Sequence, residues 1–267
     1  MVIPGSALNK SASMKFSWDE KISRAQKLSN DFPTTKEILA VYLRVAKLQR
    51  AISDGLHGTD HPDISSLLGF VPDLHKLVNN LGSAPLKETV EKIGKNQARW
   101  SELLLKYWEQ QPEPESPSEA LLAYILLQPY AQHVTSQMQI HSENSSPVCP
   151  ACGNAPELSV LREFNNGARR SLLCSLCSTE WEFRRVLCPN CAEQNKDKLP
   201  VFNAEEFPQA RIEACETCKT YIKCIDLSKD GHAVPAVDDL ATLALDLWAQ
   251  EQGFMRQQPN MYLLPSS

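Results

Sequence analysis

Residues 1–140 contain no cysteine, yet nine cysteines lie between positions 149 and 224. Other absences narrow the field before that cluster is considered. No stretch approaches the ~18 consecutive apolar residues of a membrane-spanning helix. The opening MVIPGSALNKSASMKF lacks the cationic start and apolar run of a secretory signal. A cytoplasmic protein with no membrane insertion is therefore expected. Neither charge sign dominates: 27 Lys+Arg against 32 Asp+Glu give a net charge of −5, with no general attraction to nucleic acid or anionic lipid. There is no Gly-rich phosphate loop, no G-x-S-x-G elbow and no H-E-x-x-H. The acidic pair Asp238, Asp239 reads as negative charge at a helix start, which the helix dipole favours. With no catalytic residues to nominate, the chain is expected not to be an enzyme.

At 267 residues the chain has room for two domains, and 42% hydrophobic with 22% charged residues is ordinary for a globular protein. Residues 1–140 read as a helical domain. Ser17-Trp18-Asp19-Glu20 and Thr34-Thr35-Lys36-Glu37 both fit a capping box. After the second, Ile38, Val41, Tyr42, Val45, Leu48 and Ile52 recur at helical spacing, and Gly55 is expected to end that helix. Ser116-Pro117-Ser118-Glu119 opens the apolar run LLAYILLQPYAQHVTSQMQI, a candidate buried helix, with QPEPESP as the loop before it. Weaker helical segments cover 63–80 and 85–109.

Past the polar linker HSENSSPV at 141–148 the period changes from 3.6 to 2. Leu158, Val160, Arg162 and Phe164 alternate, Asn165-Asn166-Gly167 supplies turn residues, and 169–173 returns, which predicts a hairpin. A further strand is expected over 221–227. Val237, Leu240, Ala241, Ala244, Leu247 and Trp248 then form one stripe, predicting a single helix over 235–254 that packs on the ribbons or on the helical domain.

Eight of the nine cysteines form four Cys-x-x-Cys pairs in a duplicated pattern: Cys149, Cys152, Cys174, Cys177, then Cys188, Cys191, Cys215, Cys218. In a reducing compartment such pairs are metal ligands or redox centres rather than disulfides. A two-residue spacing sets two thiolates on one side of a tight turn, and a strand pair between turns brings the other two corners of a tetrahedron. Iron and zinc both suit four thiolates. Sequential pairing of the turns, giving modules at 149–187 and 188–228, is favoured because a hairpin joins each pair of turns; an interleaved pairing is the alternative. Cys149-Pro150-Ala151-Cys152-Gly153 has the knuckle form of rubredoxins and zinc ribbons, whereas Cys188-Pro189-Asn190-Cys191 lacks the glycine and predicts a looser second site. Cys224, inside an alternating stretch, reads as a small buried side chain rather than a ligand. His57, His61, His75 and His141 read as surface or packing residues.

The segment LLCSLCSTEWEFRRVLCPNC, followed by RIEACETCKTYIK and AVDDLATLALD, resembles the formate dehydrogenase accessory protein family, FdhE. The resemblance implies an α+β protein: a helical N-terminal domain, two tandem rubredoxin-like or zinc-ribbon metal modules and a C-terminal helix. It also implies a cytoplasmic accessory protein or chaperone that serves formate dehydrogenase maturation or activity by binding the catalytic subunit. The two four-cysteine sites would then carry iron, by resemblance, or zinc. Thr179, Glu180, Trp181, Arg185, Tyr221, Asp238 and Asp239 match family positions without assigned roles. Two alternatives are a nucleic-acid-binding zinc ribbon and a rubredoxin-like redox protein. Between 149 and 227 there are 10 Lys+Arg against 11 Asp+Glu, a poor footprint for phosphate contacts, so no nucleic-acid partner is expected.

Overall fold

The computed structural model describes residues 16–58, 62–110, 116–139, 145–165 and 167–263. Among the described residues six α-helices come first: α1 (Trp18–Asp31), α2 (Lys36–Leu56), α3 (Val71–Leu81), α4 (Ala84–Ile93), α5 (Gln97–Trp108) and α6 (Pro117–Ser136). α6 is the centre. Ile125, Leu126 and Leu127 are consecutive and all fully buried, which requires neighbours on every side, and α2, α4 and α5 supply them. Ser116 caps it by accepting from Glu119 N at 3.2 Å.

The capping box at Ser17 forms, with Glu20 N reaching Ser17 Oγ at 3.2 Å and Ser17 N reaching Glu20 Oε2 at 2.7 Å. The expected box at Thr34 does not. Pro33–Thr35 winds into a 3-10 turn, and Thr35 Oγ1 turns back to donate to Phe32 O at 3.2 Å instead of capping α2. Gly55 does not end α2 either, because the helix runs through it to Leu56. A Cβ there would lie 2.8 Å from the tip of the Phe70 ring, so the glycine makes room for that ring. The buried face of α2 also includes Leu39, Ala46 and Gln49, while Ile38, Val41 and Leu48 are half-buried. Residues 111–115 and 140–144, which hold most of the QPEPESP loop and part of the linker, lie outside the described residues.

The sheet contains β1 (Pro156–Phe164), β2 (Gly167–Cys174), β3 (Glu180–Glu182), β4 (Val201–Asn203), β5 (Ala210–Cys215), β6 (Thr220–Asp226) and β7 (Met255–Arg256). The expected hairpin is β1–β2, with Phe164 opposite Gly167. Strand order is β3-β2-β1-β6-β5-β4, with β7 on β6. Each cysteine-rich half is thus a three-stranded antiparallel ribbon, with one knuckle before its first strand pair and the other after it, both at the same end of the pair. The ribbons are not separate beads. β1 and β6 pair in parallel, Leu158 with Lys223 through Leu161 with Asp226, so each covers an edge the other would leave open.

The single C-terminal helix expected over 235–254 is broken into α7 (Pro235–Ala241) and α8 (Leu243–Glu251). The cause is polar and internal. Thr242 Oγ1 donates to Asp238 O at 2.9 Å, and the buried Lys223 ammonium takes Asp239 O at 2.9 Å and Thr242 O at 3.2 Å, drawing carbonyls away from the helical ladder. The break divides the packing: α7 places Val237, Leu240 and Ala241 among Trp18, Leu28 and Leu39, while α8 sets Leu245 and Ala249 against Ile212 and Tyr221. Leu247, expected in the stripe, is 62% exposed.

Candidate metal centres

In the first knuckle Cys149 N donates to Asn154 O at 2.8 Å and Gly153 N to Cys149 O at 2.9 Å, closing a turn that needs φ +76° at Gly153. That glycine also admits the helical domain. A Cβ would sit 2.9 Å from Gln110 Nε2, which donates to Cys152 O at 2.8 Å. The second knuckle joins β2 to β3, with Cys174 N on Thr179 O at 2.9 Å and Ser178 at φ +54°. Gln132 of α6 donates to Ser178 Oγ at 3.2 Å. Four sulfurs converge: Cys149 and Cys177 lie 3.6 Å apart, and Cys152 is 3.4 Å from both Cys174 and Cys177.

The second group repeats this in detail. Cys188 N reaches Glu193 O at 2.9 Å and Ala192 N reaches Cys188 O at 3.0 Å, with Ala192 forced to φ +60° where the first group has glycine. Lys219, at φ +54°, stands where Ser178 stands. Cys188 and Cys218 are 3.8 Å apart, Cys191 and Cys215 3.6 Å. A threonine hydroxyl lies 3.1 Å from the last sulfur in each group, Thr179 at Cys177 and Thr220 at Cys218. The motif C-x-x-C-x-T, present twice, is the sequence signal for that pair.

Within each group the four sulfurs lie within 4.8 Å of one another, and the turns pair sequentially rather than interleaved. These separations are far beyond the ~2.05 Å of a disulfide. A metal–sulfur bond of about 2.3 Å puts tetrahedral sulfurs about 3.8 Å apart, so both cages are of a size to close on one ion. Backbone donors already address them, as with Ala151 N on Cys149 Sγ at 3.4 Å. The neighbouring thiols of Cys149 and Cys152 lead in holding Cys177 well below its ordinary range. Burial pushes the Cys218 thiol up, but hydrogen bonds from Thr220 and Asn190 prevail and bring it down to about 6.

The groups differ in shelter. Cys149, Cys174 and Cys177 belong to the main core together with residues of α2 to α6, whereas Cys191 of the second group is exposed. Cys224 lies outside both groups, fully buried on β6, where burial raises its thiol well above the ordinary range. No histidine belongs to either group among the described residues. His57 caps the end of α2, His75 packs edge-on against Trp100, and His61 and His141 lie outside the described residues.

Of the residues matched to family positions, Thr179 hydrogen-bonds a sulfur, that of Cys177. Glu180 pairs with Arg162 at 2.8 Å, Trp181 donates to Ser146 O at 3.0 Å, and Tyr221 donates to Asp246 Oδ1 at 2.8 Å. Asp238 does stand in the first turn of α7, where its carboxylate accepts from Val234 N at 2.8 Å, but both aspartates are also wholly buried counter-ions, Asp238 to Arg24 and Asp239 to Lys223 and Arg256. The partners Arg24, Lys223, Asp246 and Arg256 were not anticipated; a lysine inside the strand YIKCID was the visible signal.

The geometry defines a class: a helical protein carrying two fused four-cysteine ribbons of the rubredoxin or zinc-ribbon kind. Comparison with known proteins is specific. The description "FdhE, central domain" matches residues 148–185 and "FdhE, C-terminal domain" matches 186–263. A protein FdhE homolog of Aquifex aeolicus is 30% identical over 266 residues, covering 90% of this chain and 93% of that relative. This chain belongs to the FdhE family. A homolog from Haemophilus influenzae strain PittGG is 34% identical over 137 residues, so the match spans 51% of this chain and 45% of that relative. The crystal structure of the FdhE protein from Pseudomonas aeruginosa has the same fold, with a TM-score of 0.72 at 24% identity over 95% of this chain and 99% of that one. No helix among the described residues is long and apolar enough to cross a membrane.

Proposed function

We propose that this chain is a cytoplasmic, non-catalytic accessory protein for formate dehydrogenase, needed for maturation or activity of the enzyme and binding its catalytic subunit. Family membership over 90% of the chain carries this reading. In the same reading Cys149, Cys152, Cys174 and Cys177 hold one metal ion and Cys188, Cys191, Cys215 and Cys218 a second, each iron or zinc. The thiolate donor set and the sulfur separations support that assignment. Each ion would tie a short ribbon that has little core of its own, so the modules at 149–187 and 188–228 present a stiff surface beside the helical domain at 1–140 and the C-terminal segment at 235–254. Neither nucleic acid nor membrane insertion has a place in this function.

The test is capture. Full-length, metal-loaded protein should retain the formate dehydrogenase catalytic subunit from extract of its native cell, and metal analysis should find two ions per chain. Metal-replete protein that fails to retain the subunit would overturn the partner. A redox role for the second centre is favoured by one observation, the exposure of Cys191. Iron-loaded protein that bleaches and recolours reversibly would support it, and zinc-loaded protein from iron-replete cells would exclude electron transfer.

A further inference from the structure

Beside the second cysteine group lies a cleft of about 190 Å³ whose wall includes Cys188 and Cys215. Four cations line it, Arg170, Arg185, Lys196 and Arg211, against one carboxylate, Glu213, a formal surplus of three positive charges. Glu213 is ion-paired to both Arg170 at 2.8 Å and Arg211 at 2.7 Å.

The two halves of this lining differ in how far their charge is already answered. Arg170 is saturated: Nε and Nη2 reach Glu213 at 2.9 and 2.8 Å, and Nη1 donates to Arg184 O at 2.9 Å. It forms a fixed floor. Arg211 gives Nη2 to Glu213 at 2.7 Å, but its Nε is buried with no hydrogen-bond partner. Arg185 meets only a carbonyl, Ala168 O at 3.2 Å, and neither it nor Lys196 has a carboxylate partner among the described residues. A divalent ion in four thiolates would carry two negative formal charges, so a positive surplus survives beside a loaded centre. The volume is below the roughly 300 Å³ at which small-molecule pockets begin, which suits a single small anionic group and not a nucleotide.

We propose that this cleft binds one oxyanion of the carboxylate or phosphate class, held by Arg185, Lys196 and Arg211 over the Arg170–Glu213 pair. The group could arrive as a free oxyanion or as an acidic side chain, and the test separates the two. Oxyanion binding here does not depend on formate dehydrogenase as client, so failed capture of that enzyme leaves it standing.

Metal-loaded full-length protein is titrated calorimetrically with inorganic phosphate and, separately, with an end-blocked peptide bearing a single glutamate. Saturable one-to-one binding in either arm is expected, weakening with salt, and at least about ten-fold weaker in the Arg185→Gln, Lys196→Gln double variant because two charge-assisted contacts are lost. Both side chains are exposed, so the fold should be undisturbed. Lys76→Gln, an exposed lysine on α3, should bind as the parent does. Binding of phosphate alone identifies a free-oxyanion site, and binding of the peptide alone a side-chain site. No saturable binding in either arm, or equal binding by the double variant, overturns the proposal.

Discussion

Lys223 Nζ lies 2.9 Å from Asp239 Oδ1 with both side chains fully buried. The ammonium directs its three N–H donors at the carbonyls of Asp239 and Thr242 and at the Asp246 carboxylate, leaving Asp239 Oδ1 held by charge without a hydrogen bond. Arg256 bridges the same two carboxylates at 2.8 and 3.0 Å, and Asn260 donates to Asp239 Oδ2 at 2.7 Å. Two cations and two carboxylates thereby fasten α7, α8 and β7 to β6.

Removing one member leaves buried charge uncompensated. Lys223→Met should destabilise the protein by about 3–5 kcal/mol. Urea unfolding of the metal-loaded protein measures this; a loss below about 1 kcal/mol would mean that the network contributes little.

Ala192 occupies at φ +60° the place that Gly153 fills in the first group. A left-handed conformation costs a non-glycine residue about 1–2 kcal/mol, and glycine's extra freedom in the unfolded chain costs about 0.5–1 kcal/mol in return. Ala192→Gly should therefore stabilise the second ribbon by up to about 1 kcal/mol, seen as a higher melting temperature. Gly153→Ala should do the reverse, since it adds strain and displaces Gln110 from Cys152 O.

Shelter should set the order of metal loss. A chelator should draw metal in two phases, the second centre emptying first through exposed Cys191 and the first centre, packed against the helices, far more slowly. Cys191→Ser should alter the fast phase alone. A single phase for both ions would contradict the asymmetry.

Glu157 is buried at the start of β1 among Asp239, Asp246, Lys223 and Arg256, and burial followed by the nearby Asp239 pushes its carboxyl up to about 8 despite the two cations. Below the ordinary value of 4.5 it is protonated in both folded and unfolded chains and adds no pH dependence. As pH rises from there, the unfolded chain releases the proton first, so stability falls until pH passes about 8 and then levels. Glu157→Gln keeps the neutral shape. It should flatten that decline and leave the variant more stable than the parent at pH 8, by an amount on the order of a few kcal/mol. An unchanged pH profile of denaturation midpoints would show that Glu157 is not the group responsible.

Local chemistry was legible in the chain. The four Cys-x-x-Cys spacings showed which turns could cage an ion, the Asn165 turn marked the hairpin, and the Ser17 and Ser116 caps marked where α1 and α6 begin, because each depends on residues a few positions apart. The Thr34 box and the Gly55 terminus looked equally good locally. Pro33 starts a 3-10 turn where the box would form, and Gly55 serves to admit the Phe70 ring while α2 runs one residue past it.

The duplicated cysteine pattern and most of the elements that carry it are therefore written in short stretches of chain. Three-dimensional packing was needed to join β1 and β6 into one sheet, to bury Asp238 and Asp239 as counter-ions, and to shelter one four-cysteine group while the other faces solvent. Those outcomes depend on pairing, charge and burial between residues far apart in the chain, and no spacing within a segment encodes which distant surface will cover it.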